Sequence, residues 1–264
     1  MMHLLTPMPL YPTALHSSPM DYYDLISIST RDMAIMNPTT PEKLRRAGAM
    51  AGLAAGEEVI EFGCGYGTVL TTLADAFGIR GRGIDLREYA CRRAVEQIAA
   101  EGYADRLTVT CADVLDATPD RAYDLAACIG STHIWGGLAP ALEAMAAWLK
   151  PEGRLIVGER CWQHAAVPPD FARAWPDVLT EYEIFGCARD AGYEVRGVLH
   201  ATADDWDAYE SGNWGGLLGW LEEHPDADDE EAAEVREYLH RIQDEFAGYG
   251  REYMGFGLYV LVPV

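Results

Sequence analysis

The sequence predicts a doubly wound α/β fold on a mainly parallel sheet, preceded by a helical segment and carrying a helical insertion before its last strand. Three observations support this. Short apolar runs alternate with stripes at helical spacing along most of the chain. One run, Val59-Ile60-Glu61-Phe62, ends in Gly63-Cys64-Gly65-Tyr66-Gly67, and a helical stripe follows at once. About fifty residues of different pattern then stand ahead of a final apolar run, too many for a simple turn.

In chain order, Asp21 to Met36 holds the aromatic and apolar residues of a short helix that Asn37-Pro38 ends. Thr40-Pro41-Glu42 has the form of a helix start, and Gly56 leads into a strand over Glu58 to Phe62. Leu70, Leu73, Ala74 and Phe77 mark the next helix. A second strand, Gly81 to Ile84, ends at Asp85, and Cys91, Ala94, Val95 and Ile98 mark the helix after it. Leu107 to Cys111 and Tyr123 to Ile129 read as strands. Leu142, Met145 and Leu149 give a helical stripe that Pro151 and Gly153 stop before a strand over Arg154 to Val157. Glu181 to Ala191 reads as a helix and Tyr193 to Leu199 as a strand. From Asp204 aromatics interleave with glycines, and Glu222 to Glu234 is an acid-rich, solvated connector. A helix with Val235, Tyr238, Leu239, Ile242 and Phe246 precedes the last strand, Phe256 to Val262. Residues 1–39 are thus a leader and candidate lid, 40–264 one domain, and 201–252 a helical cover over the cleft.

Composition narrows the partners. The 264 residues, 49% apolar, suffice for one sizeable core. Forty-two acidic against twenty basic residues give a formal charge of -22, which repels a phosphate backbone and makes nucleic acid an unsuitable substrate. Only Lys43 and Lys150 are lysines, so attachment to anionic lipid is disfavoured too. Six singly scattered cysteines point to reduced thiols rather than a disulfide framework or a zinc site, and no metal is expected. Met1 to Pro19 carries four prolines and lacks the basic and apolar blocks of a secretory signal. No segment has the roughly 18 uninterrupted apolar residues of a membrane span. A cytoplasmic protein is expected.

The glycine turn carries the chemistry. Alternate glycines remove Cβ atoms where the backbone must turn sharply beside a ligand. A dinucleotide fingerprint needs a third small residue where Thr68 stands, so the spacing favours a nucleoside held without a diphosphate. Asp85 ends the second strand, where a carboxylate accepts from both ribose hydroxyls; its plainer role is a helix cap. Asp113, after the third strand, is placed to accept from an adenine amino group, or else to form a turn.

The order of Glu61-Phe62-Gly63-Cys64-Gly65-Tyr66-Gly67, Asp85, Asp113 and Asp124 to Gly130 resembles the class I S-adenosylmethionine-dependent methyltransferases, over roughly Thr40 to Leu199 plus the last strand. The resemblance implies a seven-stranded Rossmann-like sheet with the last strand antiparallel, and S-adenosylmethionine as cofactor. It implies contacts at Gly63, Gly65, Gly67, Asp85, Leu86, Asp113, Val114 and Gly130. Glu61 would orient the loop through backbone amides or reach the cofactor amine through water. Cys128-Ile129-Gly130-Ser131-Thr132-His133-Ile134-Trp135-Gly136-Gly137, Gly158-Glu159-Arg160-Cys161-Trp162 and Arg251-Glu252 look like a little-characterised bacterial branch acting on small molecules. That branch commonly has Pro-Tyr where this chain has Arg160-Cys161.

For the acceptor, His133 is the candidate base, because it follows the fourth strand into the cleft; its plainer role is to bind substrate or pack beside Trp135. Glu159 is a substrate amine ligand or a carboxylate paired with Arg160 or Arg251. Trp135, Trp162, Trp214 and Arg251 complete the candidate substrate residues, with Trp206 and Tyr209 as further aromatic walls; each aromatic has core packing as its plainer role. The expectation is methyl transfer to the O, N or S atom of a small molecule. A nicotinamide oxidoreductase, which Thr68 opposes, and a non-catalytic S-adenosylmethionine sensor are the alternatives.

Overall fold

The computed structural model describes residues 20–226 and 230–264. Helix α1, Tyr22–Ser29, starts from a capping box in which Asp21 and Asp24 accept from each other's backbone amides. Thr40 caps α2, Pro41–Ala51, with proline in the first turn, where a missing amide hydrogen costs nothing. Strand β1, Glu58–Phe62, runs through the glycine turn into α3, Thr68–Phe77. Then follow β2, Arg80–Asp85; α4, Glu88–Ala100; β3, Leu107–Cys111; β4, Tyr123–Ile129; and α5, Leu138–Ala146. The chain continues through β5, Leu149–Trp162; α6, Pro169–Ala174; a two-residue β6, Leu179–Thr180; α7, Glu181–Asp190; and β7, Tyr193–His200. Two long helices, α8, Ala203–Glu223, and α9, Glu230–Glu245, lead through a π turn at Phe246–Gly250 and α10, Arg251–Tyr253, into β8, Met254–Pro263.

Seven strands lie in the order β3-β2-β1-β4-β5-β8-β7, and β6 adds a short eighth off this path beside β5. Only β8 runs against its neighbours, β5 and β7. The mainly parallel sheet and its antiparallel last strand are as expected. Alternation along β8 sorts the core: Phe256, Leu258 and Val260 face a cluster with α2 and α3, whereas Tyr259 and Leu261 face one with α5 and α7. The sheet is therefore covered on both faces. Its parallel strands direct their carboxyl ends to one edge, where a doubly wound sheet places its ligands.

Several sequence expectations are corrected. The helical stripe ends at Ala146, and Leu149 belongs to β5, opposite Tyr123; the chain between Leu149 and Arg154 bulges out of the pairing, which accommodates Pro151 and Gly153. Val95 faces solvent on α4. The stretch of aromatics and glycines from Asp204 is one 21-residue helix. Three of its glycines serve packing: a Cβ on Gly212 would press on Met33, on Gly216 would lie 2.4 Å from the Ser29 carbonyl oxygen, and on Gly219 would lie 2.6 Å from Arg31. These positions form one helical stripe, so α8 lies backbone to backbone against the segment that includes α1. Leu217, Val235, Tyr238 and Leu239 with Met20 bind α1, α8 and α9 into a third apolar cluster. Residues 1–19 of the leader and 227–229 of the acidic connector lie outside the described residues.

Candidate active site

The site is built at the carboxyl edge. After β1 the chain turns on Gly63, Gly65 and Gly67, with φ of 66°, 52° and 76°, a left-handed region in which a side chain is strained. The amides of Gly63 and Cys64 donate to the Ile84 carbonyl at 2.8 and 3.1 Å, which ties the turn to β2. Asp85 continues the tie. One of its carboxylate oxygens accepts from the Gly65 amide at 2.8 Å, and the other accepts from the Arg87 amide at 2.9 Å and from Arg87 Nε at 3.2 Å.

The segment after α1 straps this turn. Thr30 shares a hydrogen bond with the Tyr66 hydroxyl at 2.8 Å, Thr68 donates to the Ala34 carbonyl at 2.5 Å, and Asn37 donates to the Ile129 carbonyl at 3.0 Å. A Cβ on Gly65 would lie 2.1 Å from Met36 Cε, and one on Gly130 would lie 2.2 Å from Asn37 Oδ1. A side chain at either glycine would be strained by φ and would displace the Met36 or Asn37 side chain of the strap.

A cavity of about 490 Å³ opens beneath the strap. It brings together Gly63, Asp85, Leu86, Asp113, Val114, Gly130, His133 and Glu159 from the sequence expectations. Asp113 accepts from the Leu115 amide at 2.9 Å and caps the short turn that holds Val114. Glu61, Gly65 and Gly67 stand behind the lining and support the turn. Glu61 is buried, bonded to the Leu70 backbone, and its Oε2 has no partner among the described residues. Burial first, then the charge of Asp85, holds its carboxyl well above the usual range.

Four expected substrate residues lie outside the cavity lining. Trp135 packs edge-on against Phe62, Trp162 against Phe171 and Trp214 against Phe246, because their indoles fill seams between elements. Arg251 pairs with Asp207 at the surface. Tyr209 on α8 lines the cavity as expected, and walls the sequence did not single out join it: Tyr22 and Tyr23 from α1, Trp175 before β6, and Arg160 on β5. Tyr22 and Tyr23 carry no local signal beyond an aromatic helix, and Trp175 acquires its place only through the α6 turn.

Glu159 pairs with neither Arg160 nor Arg251. It accepts a hydrogen bond from the Thr132 hydroxyl, and burial pushes its carboxyl up to about 7 against the opposing pull of that bond and of Arg160. Burial, with Arg160 and Arg87 nearby, pushes His133 down to about 4. The two groups nearest in role thus differ: at neutral pH Glu159 exchanges a proton while His133 stays neutral.

Sheet order, glycine turn and the acidic ends of β2 and β3 define a Rossmann-like methyltransferase architecture. Comparison with known proteins makes the assignment specific. The family profile described as "Methyltransferase domain" matches residues 59–153. The chain is 36% identical to a SAM-dependent methyltransferase from Geobacter sulfurreducens solved with S-adenosyl-L-homocysteine, with a TM-score of 0.85 over 91% of this chain and 98% of that one. A SAM-dependent methyltransferase from Thiobacillus denitrificans, also solved with S-adenosyl-L-homocysteine, gives 34% identity and a TM-score of 0.85 over 93% and 100%. The uncharacterized protein YjhP of Escherichia coli is 33% identical over 248 residues, covering 92% of this chain and 99% of YjhP. This chain belongs to the class I S-adenosylmethionine-dependent methyltransferases.

Proposed function

We propose that the protein transfers the methyl group of S-adenosylmethionine to a small molecule held between the carboxyl edge of the sheet and helices α1 and α8. The observation that carries this reading is the shared lining: one cavity takes in Gly63, Asp85 and Asp113 together with Glu159 and Arg160. About 490 Å³ falls within the ~300–1,000 Å³ usual for small-molecule sites. The residues fit the cofactor. The left-handed glycines keep the turn free of side chains, Asp85 and Asp113 offer acceptors for ribose and adenine, and the orphaned Glu61 Oε2 offers one for the amine through water. Leu86 and Val114 supply apolar contacts to the base, and Gly130 lets the chain after β4 approach closely.

Bound S-adenosylmethionine supplies an electrophilic methyl carbon on a sulfonium, which leaves as a neutral thioether as the acceptor's electron pair forms the new bond. Glu159 takes the proton that the acceptor's O, N or S atom gives up, and the Thr132 hydroxyl fixes the carboxylate's orientation. His133, neutral at pH 7, holds the acceptor by hydrogen bonding. Positioning contributes more than proton transfer: oriented reactants account for roughly 7–11 kcal/mol of barrier reduction, against about 3–5 kcal/mol for a general base. Helices α1 and α8 contribute walls that narrow the cavity's access to water. A formal charge of -22 opposes a polyanionic acceptor, and among the described residues no helix is long and apolar enough to cross a membrane.

The test has two stages. Calorimetric titration should give saturable S-adenosylhomocysteine binding; incubation of the protein with methyl-labelled S-adenosylmethionine and a metabolite extract should then label a small molecule. Repeated absence of a labelled product in the presence of measured cofactor binding would remove the small-molecule reading.

A further inference from the structure

Arg160 stands at a junction. The cavity of about 490 Å³ and an inner chamber of about 120 Å³ share Tyr22, Ile26, Arg160, Trp175 and Tyr209 in their walls, so the guanidinium borders both. Its Cζ lies over the Trp175 ring, 4.5 Å from the centre, so the cation rests against an aromatic face. Several part-buried arginines have counter-ions or backbone acceptors: Arg154 pairs with Glu57 at 2.8 Å and Arg87 with Asp85 at 3.2 Å, while Arg93 donates to the carbonyls of Arg31 and Met33. Arg160 does not. Among the described residues no carboxylate reaches ion-pair distance from it, and its guanidinium donates no hydrogen bond.

We infer that Arg160 is the recognition site for a carboxylate on the methyl acceptor, so that the substrate class is a small carboxylic acid. The inference rests on the methyl-transfer reading of the same cavity. Glu210 and Glu245 act on Arg160 without ion-pair contact, so its donor fork is left open to a ligand anion that can hydrogen-bond it directly. The guanidinium's five donors form a planar fork that matches the two oxygens of a carboxylate. The groups facing Arg160 restrict the anion further. Tyr22 and Tyr209 stay protonated, held above the usual phenol range by burial. Glu210 on α8 and Glu245 on α9 also face it, the first pushed up to about 7 and the second raised, both chiefly by burial. Arg241 lines the inner chamber, and Glu159, His133 and Asp177 line the outer one. Glu210, partly protonated at neutral pH, and Glu245 beside it tolerate a monoanion and disfavour a dianionic phosphate. Glu159, the neighbour of Arg160 on β5, then takes the proton from the acceptor's nucleophilic atom while Arg160 holds its carboxylate. Aromatic walls at Phe171, Trp206 and Phe246 line the inner chamber beyond.

The probe pair is 3-phenylpropanoate and its uncharged amide, titrated by calorimetry into the whole protein with and without saturating S-adenosylhomocysteine. The carboxylate should bind at least about tenfold more tightly than the amide, the effect of one charge-assisted hydrogen bond. Arg160→Gln should abolish that preference while S-adenosylhomocysteine affinity and the circular dichroism spectrum stay unchanged. Arg160→Lys, which keeps charge and loses the fork, should retain part of it. Equal binding of acid and amide, no binding of the acid, or a preference that survives in Arg160→Gln would overturn the inference. Loss of S-adenosylhomocysteine binding by the unaltered protein would instead strike the cofactor reading, with the acid preference still measurable on the free protein.

Discussion

Thr132, in the turn after β4, donates its hydroxyl to Oε1 of Glu159 on β5, linking the two strands whose ends face the cavity. Burial nevertheless holds Glu159 up to about 7. Its carboxylate form, the one that accepts a proton, therefore grows as pH rises through that value. With any identified acceptor that loses a proton, kcat/KM should climb along a limb of apparent pKa near 7 and level off above it. Glu159→Gln should remove the limb and lower kcat by about 10²–10⁴-fold. His133→Gln should keep it, because His133 titrates near 4. Paired pH-rate profiles decide, and a limb that survives Glu159→Gln would reassign the base.

The same raised carboxyl governs stability. In the unfolded chain Glu159 ionises near the ordinary glutamate value of 4.5, whereas in the folded protein it keeps its proton up to about 7. Its contribution is thus fully present below about pH 4.5 and is lost as pH rises toward 7. Glu159→Gln, which cannot ionise, should match the unaltered protein at pH 4 to 5 and exceed it at pH 8 by on the order of 3 kcal/mol. Urea unfolding at the two pH values measures the difference; equal pH slopes would show that Glu159 is not the group concerned.

The parts of this molecule that depend on neighbours in sequence were legible, and those that depend on distant packing were not. Val59 to Gly67 announces strand, turn and helix because the glycine φ values are local necessities, and Asp85 and Asp113 follow from their strand ends. The cover was only partly legible. Gly212, Gly216 and Gly219 lower the helix signal of α8, yet they are small because Met33, Ser29 and Arg31 press on them from about 190 positions away. Leu149 fits a helical stripe equally well until Tyr123 pairs with it. Trp135, Trp162 and Trp214 were placed near the cleft by their elements, but side-chain direction, set by Phe62, Phe171 and Phe246, takes them out of its lining.

Asp85 joins the glycine turn to Arg87. Its two oxygens accept from the Gly65 amide and from Arg87, and it is 4% exposed. Asp85→Asn keeps the shape but removes the charge that balances Arg87, so it should weaken S-adenosylhomocysteine binding by about 10–100-fold and lower the melting temperature. Asp116→Asn, at an exposed position, should change neither. Calorimetry and thermal denaturation of the two variants separate a role in the cofactor site from a general effect of lost acidity.

Neighbouring glycines on α8 should respond to alanine with opposite signs. Alanine favours a helix interior over glycine by about 0.8–1 kcal/mol, and a Cβ on Gly215 meets nothing within 4 Å, so Gly215→Ala should stabilise the protein by up to that amount. At Gly216 the same Cβ would lie 2.4 Å from the Ser29 carbonyl oxygen and 2.6 Å from that of Ile28. Backbone cannot yield as a side-chain end does, so α1 must move off α8, and overpacking of this kind costs about 1–3 kcal/mol. Gly216→Ala should therefore be destabilising despite its better helix propensity, and it should loosen cofactor binding too, because Tyr22, Tyr23 and Ile26 on α1 line the cavity. Urea unfolding and S-adenosylhomocysteine titration of both variants provide the comparison. Equal stabilisation by the two substitutions would mean that α1 does not lie on α8 in solution.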